Sequence, residues 1–480
     1  MGDNIDESPQ VNQPENQAAG QPEATPTPQP AAPAIETPAP QPAAPVTPPQ
    51  PAATPAAQPA PAANPMGDPA PAAGAAPQTG SARKKTILQI LPALNSGGVE
   101  RGTVDIAIAA AKAGYNSLVA SSGGPMVAQL EAAGIKHITM PLDSKNPWRV
   151  YKNMEDLVYL IADENIDLLH ARSRMPAWSA YLASKKTGCH FVTTFHGHYS
   201  NTIHIKIPEK ITEKIGHDIE FNLKFPPKKI YNSIMTKGER VIAVSQFIAD
   251  HIREKYKAPL ENIRVIPRGV DLNYFDPAKV TDDRVAALKE QWRITEDWPV
   301  ILLPGRITRW KGQEFLLRTL TRIEKYPFYC VICGDSTGHE TYYSEIMNQM
   351  MQSRLEKKVR IIGPTNDMPA AYKLASVVVS ASIEPEAFGR VAAEAQAMGK
   401  PVVATNLGGS RETVVHGETG RLVDIYTTED MAEGLKRGVM LSDTDKAGLA
   451  LKNRKHIVDN FSLDTMLNKT MEVYKEVLGS

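Results

Sequence analysis

From residue 86 onward, short runs of aliphatic and β-branched residues alternate with stretches whose apolar positions return at helical spacing. The runs lie near 86–91, 117–121, 136–140, 168–171, 190–195, 240–244 and 263–266. They resume near 300–304, 328–333, 359–362, 376–380 and 401–404, after a junction around 268–280. Continuous apolar strands separated by amphipathic segments predict parallel sheets covered by helices. The runs are too many for one sheet, so the pattern predicts an α/β chain with two Rossmann-like domains, 84–272 and 273–460. A final amphipathic stretch, 461–480, carries Leu463, Met466, Leu467, Met471 and Tyr474 at helical spacing.

Two segments break the rhythm. Residues 1–83 are a Pro/Ala-rich stretch holding more than half of the 39 prolines. Such a composition buries too little apolar surface to offset ordering entropy, and a disordered tail dispensable for catalysis is expected. Its PxxP-like spacings also suit a docking arm, but they are common in any such composition. Between about 200 and 230 the strand–helix alternation lapses into Ile, Phe and Pro mixed with Lys206, Lys210, Lys214, Lys224, Lys228 and Lys229. This reads as an insertion: a surface loop, or, more pointedly, a lid or membrane-contacting element.

Formal net charge is zero, yet residues 1–80 contain no Lys or Arg and seven acids, leaving 53 basic against 46 acidic residues afterwards. That mild excess suits an anionic ligand or an anionic membrane surface. It is too weak for nucleic acid, and no aromatic–basic signature of nucleic-acid folds occurs. Acids and prolines follow Met1 where a secretory signal would be basic and then apolar, and no run approaches a bilayer span. A cytoplasmic protein is expected, with peripheral attachment at the inner membrane as the alternative. Cys330 and Cys333 form a C-x-x-C within a strand pattern, where residues three apart point to opposite faces, so they read as core thiols.

The chemistry concentrates in residues 384–412, between two apolar runs. Glu386 falls in a loop, and Glu394 in an Ala-rich helix ending at Gly399. At a helical rise of about 1.5 Å per residue the two carboxylates stand about 10–12 Å apart, which suits a long ligand held at both ends. The helix start at Phe388 and Gly389 offers free backbone N–H groups to an anion such as a diphosphate. Most glutamate pairs are merely solvated; here the setting argues otherwise. Other candidates also sit at predicted strand ends, where open parallel sheets bind ligands. Gly97 and Gly98 open the first helix, beside Glu100, which reads as a capping or orienting residue. Arg172 and Arg174 either line an acceptor cleft or are solvated. His196, Gly334 and the pair Arg306 and Lys311 complete the set. Arg306 can fork across two phosphate oxygens while Lys311 supplies a mobile point charge. Asp443-Thr-Asp445 matches a D-x-D metal pattern but better suits a helix cap.

The Glu386-x7-Glu394 stretch, with Gly305-Arg306…Lys311-Gly312 and the Gly-Gly-x-Glu helix start, resembles retaining GT-B glycosyltransferases, in particular glycosyltransferase family 4, over roughly residues 85–478. The resemblance implies two domains facing across a cleft and a closing helix that crosses back to the first. It implies transfer of a sugar from a nucleotide-diphosphate donor, with retention, to a glycan or lipid-linked acceptor in envelope polysaccharide or lipopolysaccharide synthesis. Glu386 and His196 would then meet the transferred sugar and Glu394 the ribose. Arg306, Lys311 and the backbone near Phe388 and Gly389 would meet the diphosphate, Gly97 and Gly98 the donor phosphate or acceptor, and Gly334 the base. No metal or other cofactor is expected, since the cations and helix N-termini serve the diphosphate. The rivals are a GT-B epimerase or phosphorylase, and a non-catalytic sugar-nucleotide-binding scaffold.

Overall fold

A computed structural model describes residues 83–479, apart from 96, 145, 200, 201, 207–219 and 225. The expected disordered tail therefore lies outside the described residues. Seven parallel strands form the first sheet: β1 (Thr86–Ile90), β2 (Asn116–Ser121), β3 (Lys136–Thr139), β4 (Ile166–Ala171), β5 (His190–Phe195), β8 (Arg240–Ala243) and β9 (Ile263–Val265). Their order is β3-β2-β1-β4-β5-β8-β9. The second sheet comprises β10 (Val300–Pro304), β11 (Tyr329–Cys333), β12 (Val359–Ile362), β13 (Val377–Ser380), β14 (Val402–Thr405) and β15 (Arg421–Val423), also parallel, in the order β12-β11-β10-β13-β14-β15. Each sheet is doubly wound about its central β1 or β10, as expected, and each has a crevice at the carboxyl ends of its strands.

Both sheets are buried on both faces, which explains why their strands read as continuous apolar runs. In β11 the alternation is visible residue by residue. Tyr329, Val331 and Cys333 join one core cluster, while Cys330 and Ile332 join the cluster on the opposite face. The two thiols therefore point apart, and both are free. Burial lifts both above the ordinary thiol range, Cys333 to about 11.

The closing helix Leu463–Leu478 packs on the first sheet. Met466, Met471, Val473 and Tyr474 share a core cluster with Ile87, Leu168, Val192 and Ile242. Fully burying an apolar side chain of this size contributes roughly 1.5–3 kcal/mol, so four of them fix the helix firmly. A polar link adds direction: the Tyr474 hydroxyl lies 2.6 Å from His170 Nδ1, and His170 Nε2 lies 2.7 Å from Thr194 Oγ1.

Two expectations need correction. The 200–230 segment is more than a surface loop, because Thr202–Lys206 (β6) and Glu220–Lys224 (β7) form a separate antiparallel pair. Its lysine-rich sequence hides the ladder; Lys210 and Lys214 lie outside the described residues. The strand β15 was not anticipated, being three residues long with a charged first position. Asp443 and Asp445 occupy the first turn of the helix Asp443–Phe461, whose N-cap Ser442 accepts from the Asp445 N–H. Among the described residues no helix is long and apolar enough to cross a membrane, and no group of three or more His, Cys, Asp or Glu side chains is placed to hold a metal.

Candidate active site

Glu386 follows β13 in a loop, where its carboxylate is held from three sides. Lys311 Nζ donates to Oε1 at 2.8 Å, Ser382 Oγ at 2.5 Å and Ser380 Oγ at 3.3 Å. Lys311 comes from the turn after β10 and also lies 4.4 Å from the Trp310 ring centroid. The pair is buried, with side chains 14% and 9% exposed, so Lys311 is a fixed partner and not the mobile point charge expected. Burial pushes the Glu386 carboxyl upward, but Lys311 and the two hydroxyls outweigh it and hold it below its ordinary value. Arg306 stands apart: its side chain is exposed and makes no hydrogen bond or ion pair among the described residues.

Gly389 adopts φ 89°, a left-handed conformation that favours glycine, and starts the helix Arg390–Ala397. The helix begins four residues after Glu386, so a helical rise does not measure the separation of Glu386 from Glu394. Only Glu394 is helical. It is buried, accepting from the Tyr372 hydroxyl at 3.0 Å and from Arg390 Nε and Nη2 at 3.1 and 2.5 Å. Burial and the neighbouring carboxylate keep Tyr372 protonated far above its ordinary range, which preserves it as a donor. Phe388 turns its ring into the core against Phe461, so only its backbone is left for a ligand. Gly334 packs on the β10 turn: a Cβ there would stand 1.9 Å from Gly305 O, which gives this glycine a structural reason of its own.

Across the cleft, Gly98 begins the helix Gly98–Lys112. A Cβ at this position would lie 2.7 Å from Arg390 Nη1 and 3.6 Å from Arg268 Nη1, so glycine permits the approach of two arginines. Gly97, in extended backbone, lies beneath the Glu100 carboxylate. Arg268 donates to the Gly98 carbonyl and, at 3.0 Å, to His196 Nδ1. Burial, together with Arg268 and Arg172, drives His196 well below its ordinary pKa, so the ring is neutral. The two arginines after β4 are not solvated. Arg172 is 2% exposed, and Arg174 is half-buried, bonded to Asn232 Oδ1 at 2.8 Å with its guanidinium 4.2 Å from the Tyr199 ring centroid. Arg174 thus braces the loop after β5.

The structure therefore joins Lys311 with Glu386, Glu394 with Arg390, and His196 with Arg268. A cavity of about 380 Å3 between the sheets is lined by Arg101, Asp105, Tyr274, Met368, Arg390 and Glu394. That is the size range of small-ligand sites. A direct clasp lies at one side: the Glu412 carboxylate accepts from Gln246 N at 2.8 Å and Phe247 N at 2.7 Å, capping the helix Gln246–Tyr256 of the opposite half. Sequence reasoning did not single out Arg268, Arg390, Tyr372 or Ser382. The i, i+4 spacing of Arg390 and Glu394 was the one available signal.

Two doubly wound sheets with charged loops meeting across a cleft define the GT-B class of glycosyltransferases. The chain belongs to it: a family model described as Glycosyltransferase Family 4 matches residues 96–274, and one described as Glycosyl transferases group 1 matches residues 285–450. A solved glycosyltransferase from Rickettsia africae ESF-5 is 39% identical, with a TM-score of 0.71 over 82% of this chain and 99% of that one. Among curated relatives, the D-inositol 3-phosphate glycosyltransferase of Xylanimonas cellulosilytica is 32% identical over 248 residues, half of this chain; the chain spans 58% of that relative's length. Anabaena HepE, solved with UDP and glucose, has a TM-score of 0.66 at 24% identity, covering 81% of this chain and 99% of that one; the likeness concerns the fold.

Proposed function

We propose that this chain is a retaining glycosyltransferase that moves a sugar from a nucleotide-diphosphate sugar to a glycan or lipid-linked acceptor, in envelope polysaccharide or lipopolysaccharide synthesis. The observation that carries the reading is the pair of buried carboxylates, each held by its own partners, with Glu394 lining the cavity between the sheets. Glu386, kept ionised by Lys311, Ser380 and Ser382, orients the sugar and stabilises positive charge growing at its anomeric carbon. Glu394, fixed by Tyr372 and Arg390, receives the ribose hydroxyls. Arg306, whose side chain has no hydrogen-bond or ion-pair partner among the described residues, and the backbone at Gly389 are free to meet the diphosphate, and Lys311 lies close by.

In this reading the sugar–phosphate bond breaks first, and the leaving phosphate accepts the proton of the acceptor hydroxyl attacking from the same face. His196, neutral and buried with Arg268, supports the sugar site from behind the Gly97–Gly98 turn, which lies against donor phosphate or acceptor. The Glu412 clasp favours the closed cleft, which excludes water. No metal is required in this reading, because Arg306 and a helix N-terminus supply the positive field beside the Lys311–Glu386 pair. The enzyme works on the cytoplasmic side, peripheral to the inner membrane where the acceptor is lipid-linked.

The test is nucleotide release from candidate nucleotide sugars, with and without an acceptor and with a chelator present. Release that depends on acceptor and persists with chelator is the expected result. Release without acceptor would favour an epimerase or hydrolase, and loss on chelation would overturn the metal-free mechanism.

A further inference from the structure

One feature of the first sheet goes beyond this mechanism, although it shares His196 with it. At the carboxyl ends of β4 and β5, and just after β9, a cavity of about 20 Å3 is lined by Arg172, Thr194, His196, Arg268, Met466 and Thr470. That is the room of one water or one small ion. Arg172 is 2% exposed, and its Nε and Nη1 meet no acceptor among the described residues. Neither Arg172 nor Arg268 forms an ion pair among them. The acids that bear on both, Glu100 and Asp105, do so only at longer range.

His196 adds a further donor. A guanidinium has no acceptor to offer, so Arg268 bonding to Nδ1 fixes that nitrogen as unprotonated and places the ring proton on Nε2. Nε2 is buried and meets no acceptor either. Every unpartnered nitrogen lining this cavity is therefore a donor, while the Thr194 and Thr470 hydroxyls are engaged with His170 and the Met466 carbonyl. A water could bond to these donors but would leave both guanidinium charges uncompensated, whereas an anion accepts from them and offsets the charge. A buried guanidinium without a counter-charge is also among the costliest arrangements in a protein interior. We propose that Arg172, Arg268 and His196 form a binding site for one small inorganic anion of chloride size. Phosphate or sulfate is too large for this cavity. The bound anion offsets the charge of two adjacent guanidiniums and holds Arg268 on the Gly98 carbonyl, steadying the turn that opens the first helix.

The test uses the full chain and no nucleotide sugar, so it is independent of the donor-site reading. Melting temperature is followed while sodium chloride, bromide or phosphate replaces sodium gluconate at constant ionic strength. A saturable rise of roughly a few degrees is expected with either halide. It should vanish in Arg172→Met. If that variant does not fold, bromide-soaked crystals of the wild-type chain decide alone, through an anomalous peak within hydrogen-bond reach of Arg172 Nε. No halide-specific rise and no peak would mean that a water fills the site. A rise seen only with phosphate would overturn the size argument. Either result would sink the proposal.

Discussion

The two halves of the cleft handle charge in opposite ways. In the second sheet each buried carboxylate has its cation: Lys311 with Glu386, and Arg390 with Glu394. In the first sheet the strand ends gather Arg172, Arg268 and a neutral His196, with no carboxylate among the described residues bonded to them. The second half is thus internally compensated and pre-set, which suits groups that must keep their ionisation while charge develops beside them. The first half holds a buried positive cluster, which the proposed anion would satisfy.

The sharpest way to break this contrast is to uncompensate the second half. Lys311→Met should lose about 3–5 kcal/mol of stability at neutral pH, because Glu386 stays buried without its cation. Glu386 has a lowered carboxyl pKa in the fold, so its contribution is present above the ordinary carboxylate value and disappears as pH falls through the folded value. Denaturation across pH should therefore show the gap between the two proteins closing on acidification. Glu386→Gln keeps the shape and removes the charge. Transfer should fall on the order of 10²–10³-fold while nucleotide affinity changes little, as read from steady-state rates beside calorimetric binding.

Asp105 tests the positive half from its edge. Burial raises its carboxyl to about 6 despite Arg101 nearby. The fold favours the neutral form, so stability contributed below the ordinary value is lost as pH rises through about 6. Asp105→Asn should then stabilise by about 2 kcal/mol at pH 7.5 and by almost nothing at pH 4, visible in paired melting curves. The smallest expected effect concerns the contact between halves. Glu412→Ala removes a helix cap, should cost about 1 kcal/mol, and should raise the KM for donor more than it lowers kcat.

How much of this was legible follows the same division. Continuous apolar strands announce a parallel sheet, so the strands of both sheets were readable, except for the short and partly charged β15. The antiparallel pair β6–β7 was not, because its lysines mask any alternation. Glu386, Glu394 and Lys311 stood out because their spacings are distinctive and their partners come from the same half. Arg268 was invisible: its partners Gly98 and His196 lie 170 and 72 residues away, and an isolated arginine carries no pattern. Phe388 was read only for its backbone beside a helix start, and the core position of its ring carried no signal in the sequence.

The most direct test is calorimetric titration of UDP, GDP and ADP, without added metal, into the wild-type chain and Glu394→Ala. The account predicts that one nucleotide binds the wild type and that the variant loses most of that affinity, while Glu386→Gln retains it. No binding by any of the three, or unchanged affinity in Glu394→Ala, would contradict a donor site built on the compensated half of the cleft.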